Sequence, residues 1–212
     1  MALVETVFEN KGLEAILPKR EESAVHPDGD IVAVRMARYD EIESLHALTV
    51  SEIGPSVAPC EAMQRVWRHN PESLWTIHRR TPPDGADRLA GYFGFLHLNA
   101  AGLGALEARS LSGRAPDLAL LAASGERPAA IYVWAGIARK VRVLAEKLVA
   151  RGLGAERYGG LPVYATAGTL GGLKWLNQLG EADRGPEENA LGNIFRIDTV
   201  RAVTARTKDD AA

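Results

Sequence analysis

The chain has 212 residues, 46% of them hydrophobic, with a formal net charge of -2 and a single cysteine. That length and apolar content suffice for one substantial buried core, and the near-neutral charge gives no general attraction to nucleic acid or to an acidic membrane surface, so neither partner is expected. A lone Cys60 excludes an intrachain disulfide and a cysteine-rich zinc site; no stretch approaches the roughly 20 apolar residues of a membrane span and residues 1–20 hold no signal-peptide core, which together predict a cytoplasmic protein.

Residues 1–30 mix charges with isolated apolar residues and close on His26-Pro27-Asp28-Gly29-Asp30, a turn sequence. An arm or a short packed helix is expected there, ahead of a main domain over residues 31–203 and a frayed tail over 204–212. Residues 31–36 (IVAVRM) predict a first strand. Asp40 with Glu43 has capping-box spacing, and Ile42, Leu45, Thr49 and Ile53 then trace one helical face until Gly54-Pro55 stops it. A second helix is predicted over 61–70, burying Met63, Val66 and Trp67 and ended by Pro71. Cys60 stands at its start, where a lowered thiol pKa and a plain structural cysteine are both open.

Residues 74–79 (LWTIHR) and 89–98 (LAGYFGFLHL) carry strand residues around a Pro-Pro-Asp-Gly connection and should pair antiparallel. Residues 100–116, rich in Gly, Ala and Ser, show little periodicity and are expected to form a long connection beside a cleft, with 117–123 adding a short strand or helical turn. Residues 131–137 (IYVWAGI) are apolar on both faces, the pattern of a buried central strand. A basic run, Arg139, Lys140 and Arg142, then opens a helix with apolar residues Val141, Leu144, Ala145, Leu148 and Val149, closed by Gly152. A buried strand running into a helix leaves unpaired N–H groups and the positive dipole end at the strand's mouth, where an anion can be held. Residues 161–166 (LPVYAT) predict another strand. Thr166 or Thr169 caps a further helix carrying Leu170, Leu173, Leu176 and Leu179 up to Gly180, and 194–197 (IFRI) predict a last strand. The order defines an α+β or mixed α/β arrangement.

Several of these pieces resemble the GCN5-related N-acetyltransferase (GNAT) superfamily. Val163-Tyr164-Ala165-Thr166 followed by Gly172-Leu173-Lys174-Trp175-Leu176-Asn177-Gln178-Leu179-Gly180 is similar to the strand and helix that end that superfamily's cofactor-binding half. Met36-Ala37-Arg38-Tyr39-Asp40-Glu41-Ile42 is similar to its opening. The resemblance spans residues 31–198 and implies a splayed central mixed sheet flanked by helices on both faces. It further implies acyl-coenzyme A, acetyl-CoA above all, wedged where the central strand and the strand at 161–166 separate, with no metal. The acyl group would pass to a small-molecule or peptide amine acceptor, and family habit implies a homodimer. Two departures stand out. The stretch Arg139-Lys140-Val141-Arg142-Val143 has no glycine where the superfamily's pyrophosphate loop has several, and Leu176 stands where its tyrosine acid often falls. They support a second reading, a GNAT-shaped binding or interaction module without catalysis.

On the transferase reading, backbone N–H groups at Ala135, Gly136 and Ile137 polarise the thioester carbonyl. The anion site takes Arg139, Lys140, Val141, Arg142 and Val143, with Thr169 and Trp175 beside it. For proton handling the candidates are Tyr164 first, then His97, Tyr132 and Glu107. A packed tyrosine with a satisfied hydroxyl and a structural histidine at the end of an apolar strand remain the alternatives, as does a solvated first helical turn for the basic run. Trp134 and Trp175 are pocket or core residues. No HExxH, GxSxG, Walker or GxGxxG signature is present, so other familiar enzyme classes are not signalled.

Overall fold

The computed structural model describes residues 21–82, 85–138, 141–154, 158–182 and 192–197. Eight strands form one mixed sheet in the order β1-β2-β3-β4-β5-β6-β8-β7. They are β1 (Glu21–Val25), β2 (Ile31–Met36), β3 (Leu74–Arg80), β4 (Arg88–Leu98), β5 (Ala130–Ala138), β6 (Val163–Thr166), β7 (Gly180–Ala182) and β8 (Ile194–Ile197). The helices are α1 (Ile42–Ile53), α2 (Cys60–His69), α3 (Ala100–Glu107), α4 (Arg142–Leu153) and α5 (Leu170–Leu179). β1 to β5 form an antiparallel meander, β5 and β6 run parallel, and β8 is antiparallel to both β6 and β7.

Strand alternation sorts the core into two faces. On one, Val141 just before α4 and Ala145, Leu148 and Val149 of α4 pack over Val32, Val34, Trp75 and Ile77. On the other, Ile42 and Leu45 of α1 and Met63 and Trp67 of α2 meet Leu74, Tyr92 and Ile137. Leu74 and Trp75 are sequence neighbours on opposite faces, and both are fully buried. Each such side chain stabilises the fold by about 1.5–3 kcal/mol relative to exposure. Helices therefore cover both faces of the sheet. Among the described residues no helix is long and apolar enough to cross a membrane.

Several boundaries differ from the sequence expectation. Residues 21–25 form an edge strand, neither arm nor helix: the turn at 26–30 folds β1 back so that Val25 lies opposite Ile31 and Glu21 opposite Arg35. Asp40 does not cap α1. A 3-10 turn (Tyr39–Glu41) precedes the helix, and Glu41 folds back instead, its carboxylate accepting from the Arg38 N–H at 2.8 Å and from the Arg35 guanidinium. Ile53, placed on the buried face by its spacing, is exposed on the last turn of α1. The expected long connection begins with a helix, α3, because Asn99 caps it by accepting from the Gly102 N–H at 2.9 Å. Gly102 is also where α3 meets the chain, since a Cβ there would lie 2.1 Å from the Leu120 carbonyl oxygen. Gly152 lies inside α4, and it is Gly154, with φ of +84°, that takes the left-handed position past its end. Gly180 closes α5 and begins β7, a strand the sequence pattern does not announce. The tail over 204–212 lies outside the described residues.

Candidate functional site

β5 is paired differently on its two sides. With β4 it is matched from Gly91 opposite Ala138 to Leu98 opposite Ala130, interrupted by one bulge: Gly94 faces Ala135 and Phe95 faces Val133, which leaves Trp134 as the extra residue. With β6 it is matched only at Ile131/Val163, Tyr132/Tyr164 and Val133/Ala165. Beyond Val133 the two parallel strands separate, and residues 134–138 of β5 have no partner strand on that side among the described residues. The separation has a packing cause. α5 buries Leu173 and Leu176 against Ala165, Ala167 and Phe195, drawing the chain after Thr166 away from β5. Thr169 starts that helix by accepting from the Gly172 N–H at 3.1 Å.

The separation opens a cleft of about 720 Å³. Its floor is β5 from Tyr132 to Ala138. One wall is the β6–α5 turn with Thr166, Gly168 and Thr169, plus Trp175 and Arg142; the other is the end of α1 with the α1–α2 connection and Gly113-Arg114. Arg142 and Trp175 interact at the first wall, the guanidinium carbon standing 5.2 Å from the ring centroid. Trp134 closes the second, donating its indole N–H to the Gly113 carbonyl at 2.5 Å.

Of the residues singled out in the sequence, the cleft brings together Tyr132, Ala135, Gly136, Ile137, Arg142, Thr169 and Trp175, with Trp134. Val141 is not among them. Its side chain is buried in the α4 core, so it does not crowd the strand mouth. Arg139 and Lys140 lie outside the described residues, as does the Val143 side chain. Tyr164 is half-buried beside Leu96, Leu98 and Ile194 rather than in the cleft lining. His97 is buried away from the cleft, with Nδ1 3.4 Å from Ser73 Oγ and its ring 5.3 Å from that of Tyr158. Tyr158 in turn donates its hydroxyl to Glu72, so this cluster fastens the chain before β6 to the start of β3. Glu107 is exposed at the end of α3 and does not line the cleft. Burial, with Glu43 and Glu61 nearby, holds the Cys60 thiol above its usual range, which favours the plain structural cysteine over the lowered value that the sequence also left open.

The remaining hydroxyls are arranged with a direction. Thr49 donates to the Leu45 carbonyl at 2.7 Å, which spends its only proton. Its hydrogen bond with Tyr92 must therefore be donated by the phenol, leaving the Tyr92 oxygen an acceptor beside the cleft. Burial pushes Tyr92 up to about 12, so the phenol is neutral across the physiological range. Tyr132 is also raised by burial, opposed by its hydrogen bond with Thr166. Thr49, Glu52, Tyr92, Arg114 and Thr166 carry no site signal in the sequence, since no motif links positions so far apart. Among the described residues no cluster of three or more His, Cys, Asp or Glu is placed to hold a metal ion.

Comparison with known proteins gave no identification: no family model matches the chain, and no curated protein or solved structure matches it.

Proposed function

We propose that the chain is a GNAT-like N-acyltransferase that moves an acyl group from an acyl-coenzyme A, acetyl-CoA being the simplest, directly to an amine acceptor. The carrying observation is the parting of β5 and β6 after Val133 and Ala165, which leaves an unpaired strand edge as the floor of a cleft. Two further features support it. Among the described strands the one parallel junction lies at that parting, and the core position of Val141 removes one of the two branched side chains that would obstruct the strand mouth.

The donor set suits a thioester carrying a diphosphate. The edge of β5 at 134–138 offers backbone N–H groups to a carbonyl oxygen, and Arg142 offers a cation at the start of α4. Acyl-coenzyme A supplies an activated carbonyl carbon. The amine nitrogen forms the new C–N bond, the C–S bond breaks, and the proton the amine loses is matched by one taken up at sulfur. Tyr132, kept protonated by burial and held by Thr166, donates to the leaving sulfur in place of the tyrosine missing at Leu176. Tyr92, with its proton committed to Thr49, accepts an N–H of the incoming amine.

Isothermal titration of the purified chain with acetyl-CoA tests this reading. Saturable heat at micromolar to millimolar ligand is expected. No heat at millimolar ligand would overturn the transferase and leave a binding or interaction module of the same shape.

A further inference from the structure

The acceptor side of the cleft carries a charge pattern that the acyl donor does not need. Thr49 and Glu52 of α1, Tyr92 of β4 and Gly113-Arg114 lie around it. Trp134 packs among residues of α1, α2 and α3, so this side belongs to the sheet face opposite α4. Arg142, by contrast, is on α4 itself and stacks on Trp175 of α5. The cleft lining thus holds two arginines carried by elements on opposite faces of the sheet, and only Arg142 stands at the α4 start, where the diphosphate is proposed to lie.

The backbone on either side of Arg114 is held, and its side chain is exposed at the cleft. The indole of the bulged Trp134 donates to the carbonyl of the residue before it, and the Ser112 hydroxyl accepts from the Ala115 N–H at 3.1 Å, closing a turn around it. Pro116 just beyond is buried. Among the described residues no carboxylate forms an ion pair with Arg114. An exposed arginine on an anchored turn at a cleft, with no carboxylate paired to it, is suited to a ligand carboxylate, which it receives through two parallel N–H···O bonds. Met63, Val57 and Ile53 add apolar lining to the same cleft.

We infer that the amine acceptor is a free apolar amino acid: its carboxylate is bound by Arg114, its apolar side chain by Val57 and Met63, and its amino group, reacting as the free amine, is directed to Tyr92. This rests on the transferase reading, and it assigns to residues 109–117 the choice of acceptor.

The test measures acetyl-CoA-dependent thiol release with L-leucine, L-methionine and L-phenylalanine against their α-amides, alongside calorimetric titration of acetyl-CoA. The wild-type chain should use the free acids at least about tenfold better in kcat/KM than the amides, mostly through KM. Arg114→Gln should abolish that preference while leaving acetyl-CoA affinity unchanged, and Arg114→Lys should keep part of it. Amides used as well as acids by the wild type, or a preference that survives Arg114→Gln with acetyl-CoA still bound, would overturn the inference and spare the transferase. Absence of acetyl-CoA binding in the wild type would remove the transferase itself; calorimetry with L-leucine then still decides whether Arg114 holds a carboxylate, since saturable heat lost in Arg114→Gln supports the anion site and no heat overturns it.

Discussion

The two edges of β5 are made of the same residues, yet one is closed and the other open. Toward β4 the strand is matched along its whole length, and even the bulge at Trp134 costs one residue only. Toward β6 the match ends after three residue pairs. The difference lies in the partners rather than in β5. β4 is an eleven-residue strand in which every residue from Gly91 to Leu98 is buried, so nothing draws it away. β6 has four residues, and the chain beyond Thr166 is pulled off by the burial of Leu173 and Leu176 against Phe195. A site arises here from one strand leaving early, not from a special residue on the strand that stays.

The closed edge is the easier to break. Gly91 has φ of +158°, and a Cβ there would stand 1.9 Å from the Ile137 carbonyl oxygen, a backbone atom that cannot yield without opening the ladder. Gly91→Ala should cost about 3 kcal/mol or more in chemical denaturation, with amide exchange quickening along both β4 and β5. A loss under about 1 kcal/mol would mean the close approach is not maintained. Thr49→Val acts next, at the acceptor end. It removes the acceptor of the Tyr92 phenol and leaves a buried donor unpaired, for about 1–3 kcal/mol. The double change Thr49→Val, Tyr92→Phe should be more stable than Thr49→Val alone, because both polar partners are then gone; equal or lower stability would show that the pair is not what Thr49 contributes.

The open edge should respond in the opposite way. A Cβ at Gly136 would meet the Phe93 ring at an ordinary 3.5 Å, so the backbone tolerates a side chain there. Gly136→Leu should leave stability within about 1 kcal/mol yet weaken acetyl-CoA binding at least about tenfold by occupying the cleft floor. Unchanged affinity by calorimetry would dissociate the cleft from the ligand. The paired readings on Gly91 and Gly136 thus separate an edge that holds the fold from one that is free to hold something else.

Much of the closed edge is legible in the amino-acid order, and little of the open one. The runs at 74–79 and 89–98 around Pro-Pro-Asp-Gly announce an antiparallel pair because both are rich in strand-forming residues and are joined by a hairpin-type connection. The apolar run at 131–137 marks β5 as a strand, but not its exposure: Ile131 and Ile137 are buried, whereas residues 132–136 are half-buried or exposed because they line the cleft. Glu21–Val25 escapes a sequence reading because an edge strand exposes every second residue and EESAV reads as polar chain. Residues 100–107 escape it because AAGLGALE has glycines at two positions and buries only Gly102 and Leu106. The capping error has a clear source: Asp40/Glu43 and Arg38/Glu41 share the same spacing, and only the nearby Arg35 guanidinium decides which carboxylate turns back. The parting of β5 and β6 leaves a trace only in the helix after β6. Of the acceptor wall only the connection beside a cleft within 100–116 is legible; that Thr49, Tyr92 and Arg114 meet is not, since they come from three elements joined by packing alone.

The smallest effect belongs far from the cleft, on the closed half of the sheet, and serves as its reference. Burial alone would raise the Glu41 carboxyl, but the Arg35 guanidinium and the Arg38 N–H outweigh it and hold its pKa below the ordinary 4.5. A carboxyl depressed in the folded state binds its proton more readily once unfolded. Its contribution to stability is therefore fully present above the ordinary value and is lost as the pH falls through the lower folded value. In Glu41→Gln that dependence disappears: the chain should be slightly less stable at neutral pH, and its stability should fall less steeply below about pH 4.5. Because Glu41 fixes only the joint between β2 and α1, acetyl-CoA affinity at pH 7 should not move. Urea midpoints taken at half-unit pH steps read the first effect and calorimetry the second. A parallel acid limb in the two proteins would show that the Arg35 pairing is not what ties this turn to the sheet.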